Sequence, residues 1–135
     1  MAFAFDAAPA SGTAPIVYIV DDDEAVRDSL GLLLESHGIG SEAFDSPLTF
    51  LATYRDGRNG CLVLDIQMPG MSGLEMLEKL ARDRFALPVI VMTGHADAAL
   101  VARALGAGAR TVIDKPFREH ELLAAIKEAL SFRAV

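Results

Sequence analysis

Short apolar runs alternate with stretches of helical periodicity along most of this chain. Apolar, β-rich runs occupy positions 16–20, 61–64, 88–92 and 111–113, with a weaker one at 39–44. Three read as continuous apolar segments instead of in–out alternation, as expected of parallel strands covered on both faces. Between them, Val26, Leu30, Leu33 and Leu34 form one stripe of a helix that stops near His37-Gly38, with glycine in the terminating position. Ser46-Pro47 supplies an N-cap and a first-turn proline for a second helix. Ser72-Gly73-Leu74-Glu75 is a capping-box pattern opening a third, with Leu74, Leu77 and Ala81 expected on one face. A small-residue helix over 98–105 stops around Gly106 and Gly108, and Leu122, Ile126, Ala129 and Leu130 mark the last. Five strand–helix pairs with short connections predict an α/β fold, an open, parallel, doubly wound sheet.

In such sheets a ligand site lies outside the carboxyl ends of the strands, at the point where strand order reverses. The residues just past each apolar run are therefore the ones to inspect. Asp21, Asp22 and Asp23 follow the first, Asp65 ends the third, Thr93-Gly94 ends the fourth, and the fifth runs through Asp114 into Lys115-Pro116. Crowded carboxylates cannot all stay ionised cheaply; either their pKa values rise or a cation binds. Oxygen-only donors with a few carboxylates suit Mg²⁺. A carboxylate is also a competent nucleophile for forming an aspartyl phosphate, while an ammonium and a hydroxyl supply charge and hydrogen bonding to a phosphoryl group. Asp22 and Asp23 also suit a plain helix N-cap, and Asp23 fits that role best of the three.

Charge and composition narrow the picture. The 135 residues fit one domain with a proper core. A net charge of −7 with no basic block argues against binding nucleic-acid backbone. Cys61 is the lone cysteine, so no intrachain disulfide or cysteine metal cluster can form, and its apolar run predicts a buried structural thiol. No apolar run is long enough to span a membrane, and residues 1–15 lack the pattern of a signal peptide. Those residues read as a flexible tail, and a cytoplasmic location is the default. His37, His95 and His120 do not have metal-ligand spacing.

Four pieces in order, Val20-Asp21-Asp22-Asp23, the stretch LDIQMPGMSG at 64–73, Val91-Met92-Thr93-Gly94 and Asp114-Lys115-Pro116-Phe117, resemble the receiver domains of two-component response regulators. The resemblance covers residues 16–132, leaving 133–135 as a C-terminal end. Its wording is nearest to receivers of regulators with a LuxR-type output, which this sequence does not contain. The resemblance implies a flavodoxin-like five-stranded (βα)5 fold. It implies Asp65 as phospho-acceptor, with Asp22 and Asp65 ligating Mg²⁺ together with the Gln67 backbone carbonyl, and Asp21 holding the ion through water. Thr93 and Lys115 would contact phosphoryl oxygens, and the Lys115–Pro116 bond would be cis, aiming the ammonium into the pocket. Met68-Pro69-Gly70-Met71 has proline and glycine where a type II turn wants them, and Gly94 leaves room for a phosphoryl group or a moving loop. Gln67 and His95 stand where the family tunes phosphoryl lifetime. One departure concerns readout: Val112 occupies the position, three residues before the lysine, where receivers commonly carry Tyr or Phe.

The implied partners are a histidine kinase or histidine phosphotransferase, and downstream a protein target or an output domain missing from this chain. Direct nucleic-acid binding and membrane association are not expected; phosphorylation-dependent dimerisation is compatible with the reading. The chain would be a self-phosphorylating and self-dephosphorylating receiver, not a turnover enzyme, either as a single-domain regulator or as part of a longer one. Two alternatives stand beside it. One is a phosphohydrolase of the haloacid dehalogenase type, with Asp21-x-Asp23 as its start and Asp21 as nucleophile, although Ala25 departs from that motif and no acidic pair follows Lys115. The other is a non-phosphorylated interaction module of the same fold.

Overall fold

The computed structural model describes residues 14–55, 59–67, 72–95 and 97–131. Strands and helices alternate strictly: β1 Ile16–Val20, α1 Glu24–Ser36, β2 Gly40–Phe44, α2 Pro47–Thr53, β3 Gly60–Asp65, α3 Gly73–Arg82, β4 Val89–Thr93, α4 Ala98–Gly106, β5 Thr111–Asp114 and α5 Glu119–Ser131. The strands form one sheet in the order β2-β1-β3-β4-β5, and every neighbouring pair is parallel.

Side chains within each central strand alternate between two apolar layers. Tyr18, Val20, Leu62, Leu64, Val89 and Val91 join Phe50 of α2, Leu77 of α3 and Ala104 of α4 on one face. Val17, Ile19, Cys61, Val63, Ile90 and Met92 join Leu30 and Leu34 of α1 and Leu122 and Ile126 of α5 on the other. Both faces of the strand are buried, so the period-two pattern is filled with apolar residues on each side and reads as a continuous run. Full burial of each such side chain stabilises the fold by roughly 1.5–3 kcal/mol relative to exposure. The α2–α4 layer also holds an aromatic group in which Tyr18, Phe50, Tyr54 and Phe85 meet mostly edge to face, at centroid distances of 5.2–6.2 Å.

Helix starts follow the cap chemistry. Asp23 accepts from Ala25 N, Ser46 from Thr49 N with Pro47 in the first turn, and Ser72 with Glu75 makes both bonds of a capping box. Each cap is worth about 1 kcal/mol. Helix α4 has an acidic cap that the small-residue pattern did not reveal, Asp97, which accepts from Leu100 N at 2.8 Å.

The structure moves several expected boundaries. Strand β2 begins at Gly40 because the Ile39 N–H is used by α1, donating to Leu34 O at 2.9 Å. Pro88 lies just before β4, its carbonyl accepting from Leu62 N. Ala81 is exposed; the buried stripe of α3 runs instead through Leu74, Met76, Leu77 and Leu80. The turn expected at Met68-Pro69-Gly70-Met71 lies outside the described residues. No helix among the described residues is long and apolar enough to cross a membrane.

Candidate functional site

Strands β1 and β3 are sheet neighbours on either side of the point where strand order reverses. Their carboxyl ends carry Asp21-Asp22 and Asp65, so residues far apart in sequence are adjacent by topology. One carboxylate oxygen from each of Asp21, Asp22 and Asp65 lies within 4.8 Å of the others. Asp21 and Asp65 are buried, at 0% and 3% exposure, while Asp22 faces solvent.

Lys115 reaches the same place from the end of β5. Its Nζ lies 2.8 Å from Asp21 Oδ2 and 3.2 Å from Asp65 Oδ2, and the Lys115–Pro116 bond is cis. The remaining oxygens are also engaged: Asp23 N donates to Asp21 Oδ1 at 2.9 Å and Gln67 N to Asp65 Oδ1 at 3.0 Å. Burial pushes the Asp65 carboxyl above its ordinary value; the Gln67 N–H opposes this, the Asp21 charge adds to it, and Lys115 opposes it. For Lys115 burial acts downward, but the hydrogen bond and charge of Asp21, and then Asp65, hold it above the ordinary lysine value.

Thr93 closes the group from the end of β4. It is fully buried, its carbonyl accepts from Lys115 N at 2.8 Å, and its Oγ1 accepts from His95 N at 3.1 Å. The hydroxyl proton is left to donate elsewhere. Asp23 serves as the cap of α1 at 2.9 Å from Ala25 N, and Asp114 is exposed at the end of β5. His37 caps the end of α1, while His95 and His120 are exposed. Val112 is half-buried against the α2–α4 layer. Cys61 is buried in β3, where desolvation pushes its thiol from 9.0 up to about 12.

Two contributors, Arg27 and Gly73, escaped the sequence reading, and Gln67, which it singles out, makes a contact it does not reveal. Arg27 donates from Nη1 to the Asp21 carbonyl at 2.9 Å, fastening α1 to the end of β1. Its signal was a cation in the first turns of a helix, where the dipole favours anions. Gly73 opens α3 so close to β3 that a Cβ there would lie 2.2 Å from Asp65 O and 2.4 Å from Ile66 Cα. Gln67 is more than a backbone element: its Oε1 accepts from Gly94 N at 2.9 Å, tying the loop after β3 to the loop after β4.

The donor set fits a hard divalent cation. Three carboxylates cluster there, the two buried ones, Asp21 and Asp65, share the ammonium of Lys115, and every candidate ligand is oxygen.

A parallel sheet of this order with an acidic cluster at its switch point and a lysine from the last strand defines a class. Residues 17–127 match the family described as the response regulator receiver domain, and the chain belongs to it. Transcriptional regulatory protein FixJ of Bradyrhizobium diazoefficiens is 40% identical over 114 residues, 84% of this chain and 56% of that protein. Response regulator protein TodT of Pseudomonas putida is 42% identical over 120 residues, 89% of this chain and 53% of that protein. The chain thus spans about half the length of the curated relatives it matches. The crystal structure of FixJ-N superposes with a TM-score of 0.81 at 40% identity, covering 91% of this chain and 99% of that one. The fold is the flavodoxin-like receiver fold, and the family places the chain among the receiver domains of two-component systems. The resemblance to regulators with an attached output agrees with relatives named as transcriptional regulators. The haloacid dehalogenase alternative gains no support from these matches.

Proposed function

We propose that this chain is a phosphorylation-driven signalling receiver in which Asp65 takes a phosphoryl group from a histidine kinase or histidine phosphotransferase. The observation that carries the reading is the placement of Asp65: buried at the sheet's switch point, 3.2 Å from the Lys115 ammonium and clustered with Asp21 and Asp22. An Asp65 oxygen forms a bond to phosphorus as the donor's P–N bond breaks. The leaving imidazole keeps the bonding pair and is protonated by solvent. Asp21, Asp22, Asp65 and the Gln67 backbone carbonyl are the residues that would hold Mg²⁺, with Asp21 acting through water. The ion, when bound, supplies neutralisation of the charge that gathers on the phosphoryl oxygens. Lys115 and the Thr93 hydroxyl proton then meet those oxygens, Lys115 loosening its present contacts with the two aspartates.

Phosphorylation adds about two negative charges at the site. That charge biases the loop after Thr93 and the face made by α4 and α5, changing protein–protein contacts. With Val112 at the readout position, no inward-turning aromatic is available, so the loop itself carries the change. The functional unit spans residues 16–132, works in the cytoplasm, and passes its signal to a protein target or to an output domain outside this chain. It turns over only its own aspartyl phosphate.

Incubation with radiolabelled acetyl phosphate and Mg²⁺ should label the protein in a base-labile form. The label should be lost on chelation of Mg²⁺ before the donor is added, and lost in Asp65→Asn. Label retained in a folded Asp65→Asn protein would overturn the assignment.

A further inference from the structure

Among the described residues, three backbone donors near the acceptor carboxylate are engaged without a phosphoryl group. Gln67 N donates to Asp65 Oδ1 at 3.0 Å, His95 N to Thr93 Oγ1 at 3.1 Å, and Gly94 N to Gln67 Oε1 at 2.9 Å. The first two bonds are local, each spanning two residues. The third spans 27 residues and joins the loop that follows Asp65 to the loop that follows Thr93. One residue therefore holds the acceptor with its backbone and the opposite loop with its side chain.

The Gln67 carboxamide oxygen is a neutral acceptor in an exposed position, and Gly94 is exposed as well. Such a bond is weak, since water competes for both partners. A phosphoryl oxygen on Asp65 would be charged, and hydrogen bonds to ionised acceptors are roughly twice as strong as neutral ones. The Gly94 N–H directly follows Thr93, at the edge of the same pocket. Among the described residues a Cβ on Gly94 would meet Gln67 Oε1 alone, at 3.6 Å, so the glutamine and not packed backbone of those residues lies beside this N–H.

We propose that the Gln67 side chain is an internal competitor for the phosphoryl group: it caps the Gly94 N–H in the unphosphorylated protein and must be displaced when a phosphoryl oxygen arrives. Gln67 is then a positioning residue acting through Gly94. It holds the loop after β4 in its resting place and weakens the site's affinity for a bound phosphoryl group. This inference rests on the acceptor role of Asp65 proposed above.

The test uses the full 135-residue chain and three variants. Gln67→Met keeps length and removes the acceptor, Gln67→Ala removes the side chain, and Gln67→Glu keeps an acceptor but adds a negative charge. In the metal-free protein, amide hydrogen exchange at Gly94 should quicken about three- to tenfold in the Met and Ala variants and stay slow in Gln67→Glu. With Mg²⁺ and beryllofluoride as the phosphoryl mimic, the Met and Ala variants should bind about three- to tenfold more tightly than wild type, and Gln67→Glu more weakly. Unchanged Gly94 exchange in both variants would overturn the inference, as would quickened exchange with unchanged or weakened mimic affinity. Absence of Asp65-dependent mimic binding in the wild type would instead overturn the acceptor role itself, and Asp65→Asn measured in parallel separates the two failures.

Discussion

Strand β3 ends in two different ways. At its amino end, Gly60 has φ 150° and a Cβ there would lie 1.8 Å from Ile16 O, so backbone meets backbone with no space for a side chain. At its carboxyl end, Asp65 keeps a charged side chain in a site that is 3% exposed and disfavours its ionised form. The first end is arranged for packing alone. The second gives up stability to keep a carboxylate next to an ammonium and two further carboxylates. Substitutions at the two ends should therefore separate stability from phosphorylation.

The largest effect is expected at the packing end. Gly60→Ala should destabilise the fold by about 3–5 kcal/mol, through a backbone clash and an unfavourable φ. Urea denaturation checks this. The folded fraction that remains should still be phosphorylated at a normal rate per folded molecule, and a selective loss of phosphorylation would erase the contrast between the two ends. Next comes Gly73→Ala, whose methyl would press on Asp65 O and Ile66 Cα. It should cost about 1–3 kcal/mol through overpacking. Unlike Gly60→Ala, it should also slow Mg²⁺-dependent phosphorylation beyond the loss of folded protein, because the backbone it displaces carries Asp65, the proposed acceptor. Equal rates per folded molecule in the two variants would show that the acceptor end tolerates a shift.

The smallest effect has the opposite sign. Asp65→Asn should stabilise the metal-free protein at neutral pH by about 1 kcal/mol, a few degrees in Tm. The Asp65 carboxyl ionises at 3.8 in the unfolded chain and higher in the folded one. The folded state thus binds more protons between those values, and wild-type stability falls as pH rises through that window. The asparagine advantage should accordingly be full above the raised folded value and vanish as pH is lowered to 3.8. Thermal melts of both proteins across acid and neutral pH, without divalent cations, measure it. A variant less stable than wild type at neutral pH would mean that the Lys115 contact outweighs the burial of the charge.

Much of this arrangement was legible in the sequence because it depends on local chemistry. The caps at Asp23, Ser46 and Ser72 follow from residue type and spacing, and the strands follow from apolar runs. Those runs ended one residue early at Leu64, Met92 and Ile113, because the next residues, Asp65, Thr93 and Asp114, are polar while their backbone stays in the sheet. The residues that cluster at the strand ends stand out for the same reason: a polar residue closing an apolar strand is conspicuous. What stayed hidden depends on tertiary approach. The Gln67–Gly94 bond spans 27 residues and leaves no periodic trace. Ala81 lies off the buried face expected for it because small residues mark either side of a helix, whereas Leu80 carries the burial. The close approach of Gly73 to the end of β3 is likewise tertiary, and a capping-box pattern does not mark it.

Cys61, the lone cysteine, has a further use. It sits fully buried in the central part of the sheet, with its thiol held protonated up to about pH 12. Native protein should thus resist alkylating reagents at neutral pH, and any modification should report opening of the whole sheet and not of a loop. A second cysteine introduced on the surface beside Gly94 could then carry a fluorophore with no need to remove the natural one. The molecule comes equipped with a silent internal clock for global unfolding and an open channel for watching the loop by light.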